Sequence, residues 1–99
     1  MLYLLHHIVC TLTMFQLSIY YKNLASFNRA ESIIEKYNGM HGYVSYGRYI
    51  TYSSMIQDVK TINDADVIVA EVNQTLVAGG HEPLTRFLFN HQEYDVLKK

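Results

Sequence analysis

Seven residues in the second half of the chain, Asp66 to Val72, read DVIVAEV. Four of the seven are Val or Ile, and after Asp66 only Glu71 interrupts the apolar run. Such near-continuous hydrophobicity suits a strand covered on both faces, as strands of parallel sheets are. The flanking segments are read to fit. Leu17 to Tyr21 (LSIYY) is another short apolar run suited to a buried strand. Asn28 and Glu31 have capping-box spacing, Ala30, Ile33, Ile34 and Tyr37 share one helical face, and Asn38-Gly39 supplies a stop. Tyr43 to Tyr46 reads as a strand. Gly47-Arg48 separates it from Tyr49 to Tyr52, so that region taken alone is a β-hairpin. Ser54 and Gln57 repeat the capping spacing, opening a helix with Met55, Ile56, Val59 and Ile62 on one face. After DVIVAEV, a turn-rich loop from Asn73 to Gly80 leads to a helix with Pro83 in its first turn and Leu84, Phe87 and Leu88 toward the sheet. Tyr94 to Leu97 closes the series as a short strand. Alternating strands and helices of this kind predict an α/β fold, a doubly wound, flavodoxin-like or Rossmann-like parallel sheet of four to five strands.

Ninety-nine residues without a linker, repeat or low-complexity tract make one domain, residues 1–99. The formal net charge is −1, and Lys and Arg are scattered. No basic stripe tracks a phosphate backbone, which argues against a nucleic-acid polymer as partner. Cys10 is the single cysteine, so no internal disulfide forms, in keeping with a reducing, cytoplasmic or nuclear setting. Residues 1–21 carry no Asp, Glu, Lys or Arg. They are read as buried strands, Leu2–Leu12 and Leu17–Tyr21. A membrane span is the first alternative, although His6, His7, Thr11, Thr13, Gln16 and Ser18 dilute it, and a secretory signal is the second. Met14 offers another start, which would make residues 1–13 an extension.

In doubly wound folds, ligands bind beyond the carboxyl ends of the strands. The loop after DVIVAEV is therefore the place for a site, and it holds Gly79, Gly80, His81 and Glu82 ahead of the predicted helix. Glycine lets a ligand approach the backbone, and a helix amino end favours an anion. The plainer role for Glu82 is to complement that helix dipole.

The run Asp58-Val59-Lys60-Thr61-Ile62-Asn63-Asp64-Ala65-Asp66-Val67-Ile68-Val69-Ala70-Glu71-Val72-Asn73-Gln74 resembles the 2'-deoxynucleoside 5'-phosphate N-hydrolases, relatives of the nucleoside 2-deoxyribosyltransferases. In that family a helix bearing an Asp leads into ADVVVAEV and then a Gly-x-Gly-Tyr-Glu loop whose Glu is the nucleophile. The match runs without a gap from Asp58 to Glu82, with Gly80 on the second glycine and His81 in place of the tyrosine. Ile19-Tyr20-Tyr21 resembles the first strand with its substrate-facing tyrosine.

The resemblance implies hydrolysis of the N-glycosidic bond of a deoxynucleoside 5'-monophosphate, without a cofactor. Glu82 would attack the anomeric carbon and Asp58 would assist base departure, two carboxyls about 5 Å apart in a retaining mechanism. Tyr20, Ser26, Arg29, Gly80 and His81 would bind the substrate. The family works as a homodimer, so a homodimer is expected here too. Two alternatives stand beside the enzyme: a non-catalytic relative that binds a nucleotide or a protein partner, and a membrane-attached fragment. Five histidines without helical ligand spacing, and no Cys-x-x-Cys, point away from a metal. Tyr43, Tyr46, Tyr49 and Tyr52 are read as half-buried strand positions, with a ligand-stacking wall as the alternative.

Overall fold

The computed structural model describes residues 15–96. The expected strand Leu2–Leu12, the alternatives for that segment, and Leu97 lie outside the described residues. Among those described, no helix is long and apolar enough to cross a membrane.

The elements run β1 (Leu17–Tyr21), α1 (Leu24–Lys36), β2 (Met40–Tyr46), β3 (Tyr49–Ile56), α2 (Ile62–Ala78), β4 (Arg86–Phe89) and β5 (Gln92–Asp95). They form one five-stranded sheet in the order β2-β3-β1-β4-β5, and every neighbouring pair is antiparallel. The expected doubly wound parallel sheet is therefore wrong. The connectivity and order through β4 are those of the ferredoxin-like split β-α-β arrangement, with β5 added at one edge.

The segment that most resembles a strand in sequence is a helix. Asp66–Val72 lies inside α2. Ala65, Ile68, Val69, Val72 and Leu76 are its buried residues, at spacings of three, one, three and four, which is one face of a helix. Val67 and Val77 are exposed on the far side. Helical winding also lets Glu71 accept hydrogen bonds from Lys36 and Tyr37 at the end of α1, at 2.8 Å each. A strand covered on both faces would have buried that carboxylate. Thr61 caps the helix by accepting from the Asp64 amide at 3.1 Å.

Four other boundaries follow from local chemistry. α1 starts at Leu24 because Asn23, not Asn28, caps it and accepts from the Ser26 amide at 2.9 Å. Gly47 takes φ +58° in the two-residue link from β2 to β3, so the hairpin reading holds and the strand runs on through Ser54 to Ile56, where a helix was expected. Pro83 does not open a helix. Asn73 on α2 clamps the Leu84 backbone from both sides, accepting from its amide at 2.7 Å and donating to its carbonyl at 3.1 Å. That clamp mimics a strand pairing and keeps the chain extended into β4. Phe87 and Phe89 then alternate inward while Arg86 faces solvent, as a strand requires. Asn90 and His91, at φ +52° and +67°, make the tight turn into β5, both in the left-handed region that a two-residue hairpin loop of this hand needs.

Both helices cover one face of the sheet. Leu17, Ile19, Tyr21, Ile56, Phe87 and Phe89 meet Phe27, Ala30, Ile34 and the buried stripe of α2 there. The pairing registers leave Tyr20, Met40, Val44, Tyr49 and Leu88 on the opposite face. Tyr43 and Tyr52 pair on the helix side, with ring centres 6.3 Å apart, whereas Tyr49 faces away. These tyrosines therefore do not share one wall.

Candidate functional site

β1 is paired with β3 along its whole length but with β4 only at Leu17–Phe89 and Ser18–Leu88. Beyond Ser18 the two strands part. Continued register would set Tyr20 against Arg86; instead a cleft of about 540 Å³ opens there. It is lined by Tyr20, Lys22, Ser26, Glu82 and Arg86, with Leu76 and Phe87 at its apolar base. That volume is within the range of small-molecule sites.

Backbone direction in the cleft follows from one hydrogen bond. The Asn90 amide donates to the Gln16 carbonyl at 2.8 Å, so Gln16 presents its polar backbone groups toward β4. Alternation along a strand then turns Ser18 and Tyr20 the same way. Tyr20 thus aims its N–H and C=O at the opening. The residue is 52% exposed, and its side chain lies on the uncovered face of the sheet.

Two charged groups close over the mouth. Lys22 Nζ lies 2.6 Å from Glu82 Oε2, with both side chains largely in solvent. The lysine's hydrogen bond holds the Glu82 carboxyl below its ordinary range, so it is an anion at neutral pH. Lys22 also precedes the amino end of α1, where unpaired amides favour negative charge.

Tyr20, Ser26 and Glu82 of the expected site residues therefore share the cleft, and the others do not. Asp58 lies two residues past Ile56, beside the Leu17 end of β1, in a separate depression with Gln57, Lys60 and Asp64. Glu82 reaches the other end of β1 through Lys22. A strand rise of about 3.3 Å per residue over Leu17–Tyr21 separates the two ends by about 13 Å. The structure does not bring Glu82 and Asp58 together.

Gly80 and His81 also have a different setting. The Gly80 amide donates to Val77 and the His81 amide to Leu76, at 3.0 and 2.9 Å, while Gly80 sits at φ +80°. This is the Schellman ending of a helix, and glycine suits Gly80 because that left-handed conformation is costly for most side chains. The polarity of the loop is thereby reversed. Glu82 was expected at the positive start of a helix and in fact follows the negative end of one, where its partner is a lysine rather than a dipole. Arg29 serves that same end, donating from Nε to the Thr75 carbonyl at 3.1 Å and lying against Gly79.

A second polar cluster was not anticipated. Tyr21, Ser54 and His41 form a chain beneath the helices, with Tyr21 Oη 2.7 Å from Ser54 Oγ and Ser54 Oγ 2.5 Å from His41 Nδ1. His41 Nε2 lies 2.5 Å from the Phe27 carbonyl, and the two rings stack at 3.7 Å. A carbonyl only accepts, so Nε2 carries the proton. In neutral His41 the direction of the chain is then set: Tyr21 donates to Ser54, and Ser54 donates to Nδ1. Burial pushes the Tyr21 hydroxyl up to about 12, against the smaller opposing effect of its bond with Ser54. Ser54 at the centre is 2% exposed and His41 is partly buried, and the cluster ties three strands to α1. Its signal in the sequence is Ser54 between Tyr52 and Ile56, visible only once Tyr49–Ile56 is taken as one strand.

Among the described residues, no group of three or more His, Cys, Asp or Glu side chains is placed to hold a metal ion. No protein-family model matches the chain, and no curated protein or solved structure is found similar to it.

Proposed function

We propose that this chain is a non-catalytic binding module that takes a mononucleotide-like ligand, a flat ring joined to an anionic group, in the cleft between β1 and β4. The observation that carries the reading is the convergence on one rim of Tyr20, with its ring exposed and its backbone donor and acceptor turned inward, and Lys22 at the amino end of α1. An aromatic side chain gives a base a stacking surface. The backbone pair suits the donor and acceptor edge of such a ring, and Lys22 with the helix end suits a phosphate. Deoxynucleoside 5'-monophosphates fit this description, in a cytoplasmic setting.

Hydrolysis by a carboxylate pair is the weaker reading, because Asp58 stands beyond the far end of β1 from Glu82. Glu82 has a different part in the binding reading: its carboxylate occupies the lysine that a phosphate would use. The two readings therefore predict opposite effects of one substitution. Each deoxynucleoside 5'-monophosphate is titrated against wild type and Glu82→Gln, by calorimetry and with an assay for free base. Binding without base release, tightened several-fold in Glu82→Gln and weakened in Tyr20→Ala and Lys22→Ala, is the expected result. Base release that disappears in Glu82→Gln would restore the hydrolase. No binding by either protein ends the nucleotide reading.

A further inference from the structure

The two edges of the sheet are built differently. β5 is a four-residue edge, QEYD, with Glu93 and Asp95 both paired to Arg86, at 2.7 and 3.4 Å. Short length and charge are the usual guards against unwanted strand addition. β2 is a seven-residue edge, MHGYVSY, without a charge or a proline. Met40 and Tyr43 are 60% and 67% exposed along it. Nothing in its composition discourages another strand.

The backbone of β2 shows what kind of strand it fits. The alternation that turns Ser18 and Tyr20 toward β4 turns Leu17, Ile19 and Tyr21 toward β3. Carried through the registers, it makes Met40–Met55, Gly42–Ser53 and Val44–Thr51 the hydrogen-bonded pairs between β2 and β3. His41, Tyr43 and Ser45 are left with N–H and C=O directed outward. This set of three is centred on Tyr43, the middle residue of β2, and is symmetric about it.

We propose that β2 is the dimerisation edge of this protein, pairing antiparallel with β2 of a second copy about a twofold axis at Tyr43. His41 then opposes Ser45 of the other copy, and the two Tyr43 residues oppose each other. Six backbone hydrogen bonds close the pair, two for each of the three opposed positions. On the uncovered face Val44 lies against Gly42, a branched side chain against a position with none, so the rows mesh. A twofold sets equivalent residues close to one another, which is costly for like charges, and β2 has none to oppose. The same contact is closed, because each copy uses the one uncharged edge of its described strands, whereas pairing β2 with β5 would propagate into a filament. The acidic β5 edge resists that outcome. The described strands of the two copies then make one ten-stranded sheet, with the cleft between β1 and β4 free in each half.

The test removes one outward amide without touching the inner ladder. Proline is tolerated on an edge strand where its missing N–H faced solvent. Tyr43→Pro removes such an amide, and Tyr43→Lys leaves the backbone intact but places two lysines together on the axis. Sedimentation equilibrium from micromolar to near-millimolar chain should give a dimer for wild type. Both variants should give a monomer with unchanged far-ultraviolet circular dichroism, and Gln92→Lys on the opposite edge should stay dimeric. A wild-type monomer over the whole range overturns the proposal. Dimers that survive in Tyr43→Lys overturn it equally, since the interface then lies elsewhere. If Tyr43→Pro fails to fold, the lysine variant alone decides.

Discussion

The two sides of β1 differ more than any other two regions of the molecule. Toward β3, five consecutive residues are paired and the Tyr21–Ser54–His41 chain crosses beneath the helices to α1. Toward β4, pairing stops after two residues and the sheet opens into a cleft. One strand thus has a closed flank and an open one. The closed flank satisfies its buried polar groups from within: no buried side-chain N or O among the described residues lacks a partner. The open flank leaves polar groups where a ligand can use them. The buried polar chain and the open cleft are kept on opposite sides of one strand, so each can be perturbed separately.

The largest expected effect comes from ionising the closed flank. Tyr21 titrates near 12 in the folded protein and near 10 when exposed, so the folded state holds the proton more tightly. Stability is then unaffected below pH 10 and falls as pH rises from 10 through 12. Two pKa units correspond to roughly 3 kcal/mol. Urea melts at stepped pH should show that decline in wild type and a shallower one in Tyr21→Phe. Parallel slopes would mean that Tyr21 is not the group responsible.

Ser54→Ala comes next. It removes the middle of the chain and strands the Tyr21 hydroxyl and His41 Nδ1, and a buried polar group left without a partner costs about 1–3 kcal/mol. Chemical denaturation should show that loss at pH 7. A midpoint equal to that of wild type would mean that water enters and the flank is not closed.

The smallest effect belongs to the open flank. Glu82→Gln breaks an ion pair whose partners are both exposed, and such pairs add little to stability. Its melting curve should overlay that of wild type while ligand affinity changes. A clear shift in the midpoint would show that the cleft is also structural, and the contrast between flanks would weaken.

This division also explains what the residues disclosed before the fold was known. β1 was legible because a short apolar run bounded by polar residues has few other uses, and the Gly47-Arg48 hairpin because glycine marks its turn. α2 resembles a strand at its centre because seven residues are too few to separate a strand from two turns of a helix. The wider stripe from Ala65 to Leu76 separates them, through the exposure of Val67 and Val77 and the outward reach of Glu71. With DVIVAEV as a strand, Gly79–Glu82 has to precede a helix, and the glycines that end α2 fall to a ligand instead. The clamp from Asn73 to Leu84 could not be anticipated, since it joins residues eleven positions apart through a side chain that looks like any loop asparagine. The cleft follows from where pairing stops, and a stop in pairing has no residue type of its own.

The central place of β1 has a consequence for assembly in time. It is the first of the described strands to leave the ribosome, yet Leu17 pairs with Ile56 on one side and with Phe89 on the other. Contacts that distant in sequence close slowly, because each needs a long loop to be drawn shut. β1 must therefore wait through most of the synthesis of the chain. The hairpin of β2 and β3 can form at once and offers it a first partner, and the β4 side is completed last. The flank that carries the cleft is also the flank that folds last, so a ligand for the proposed site, present during synthesis, would meet a nascent chain with that cleft still unmade.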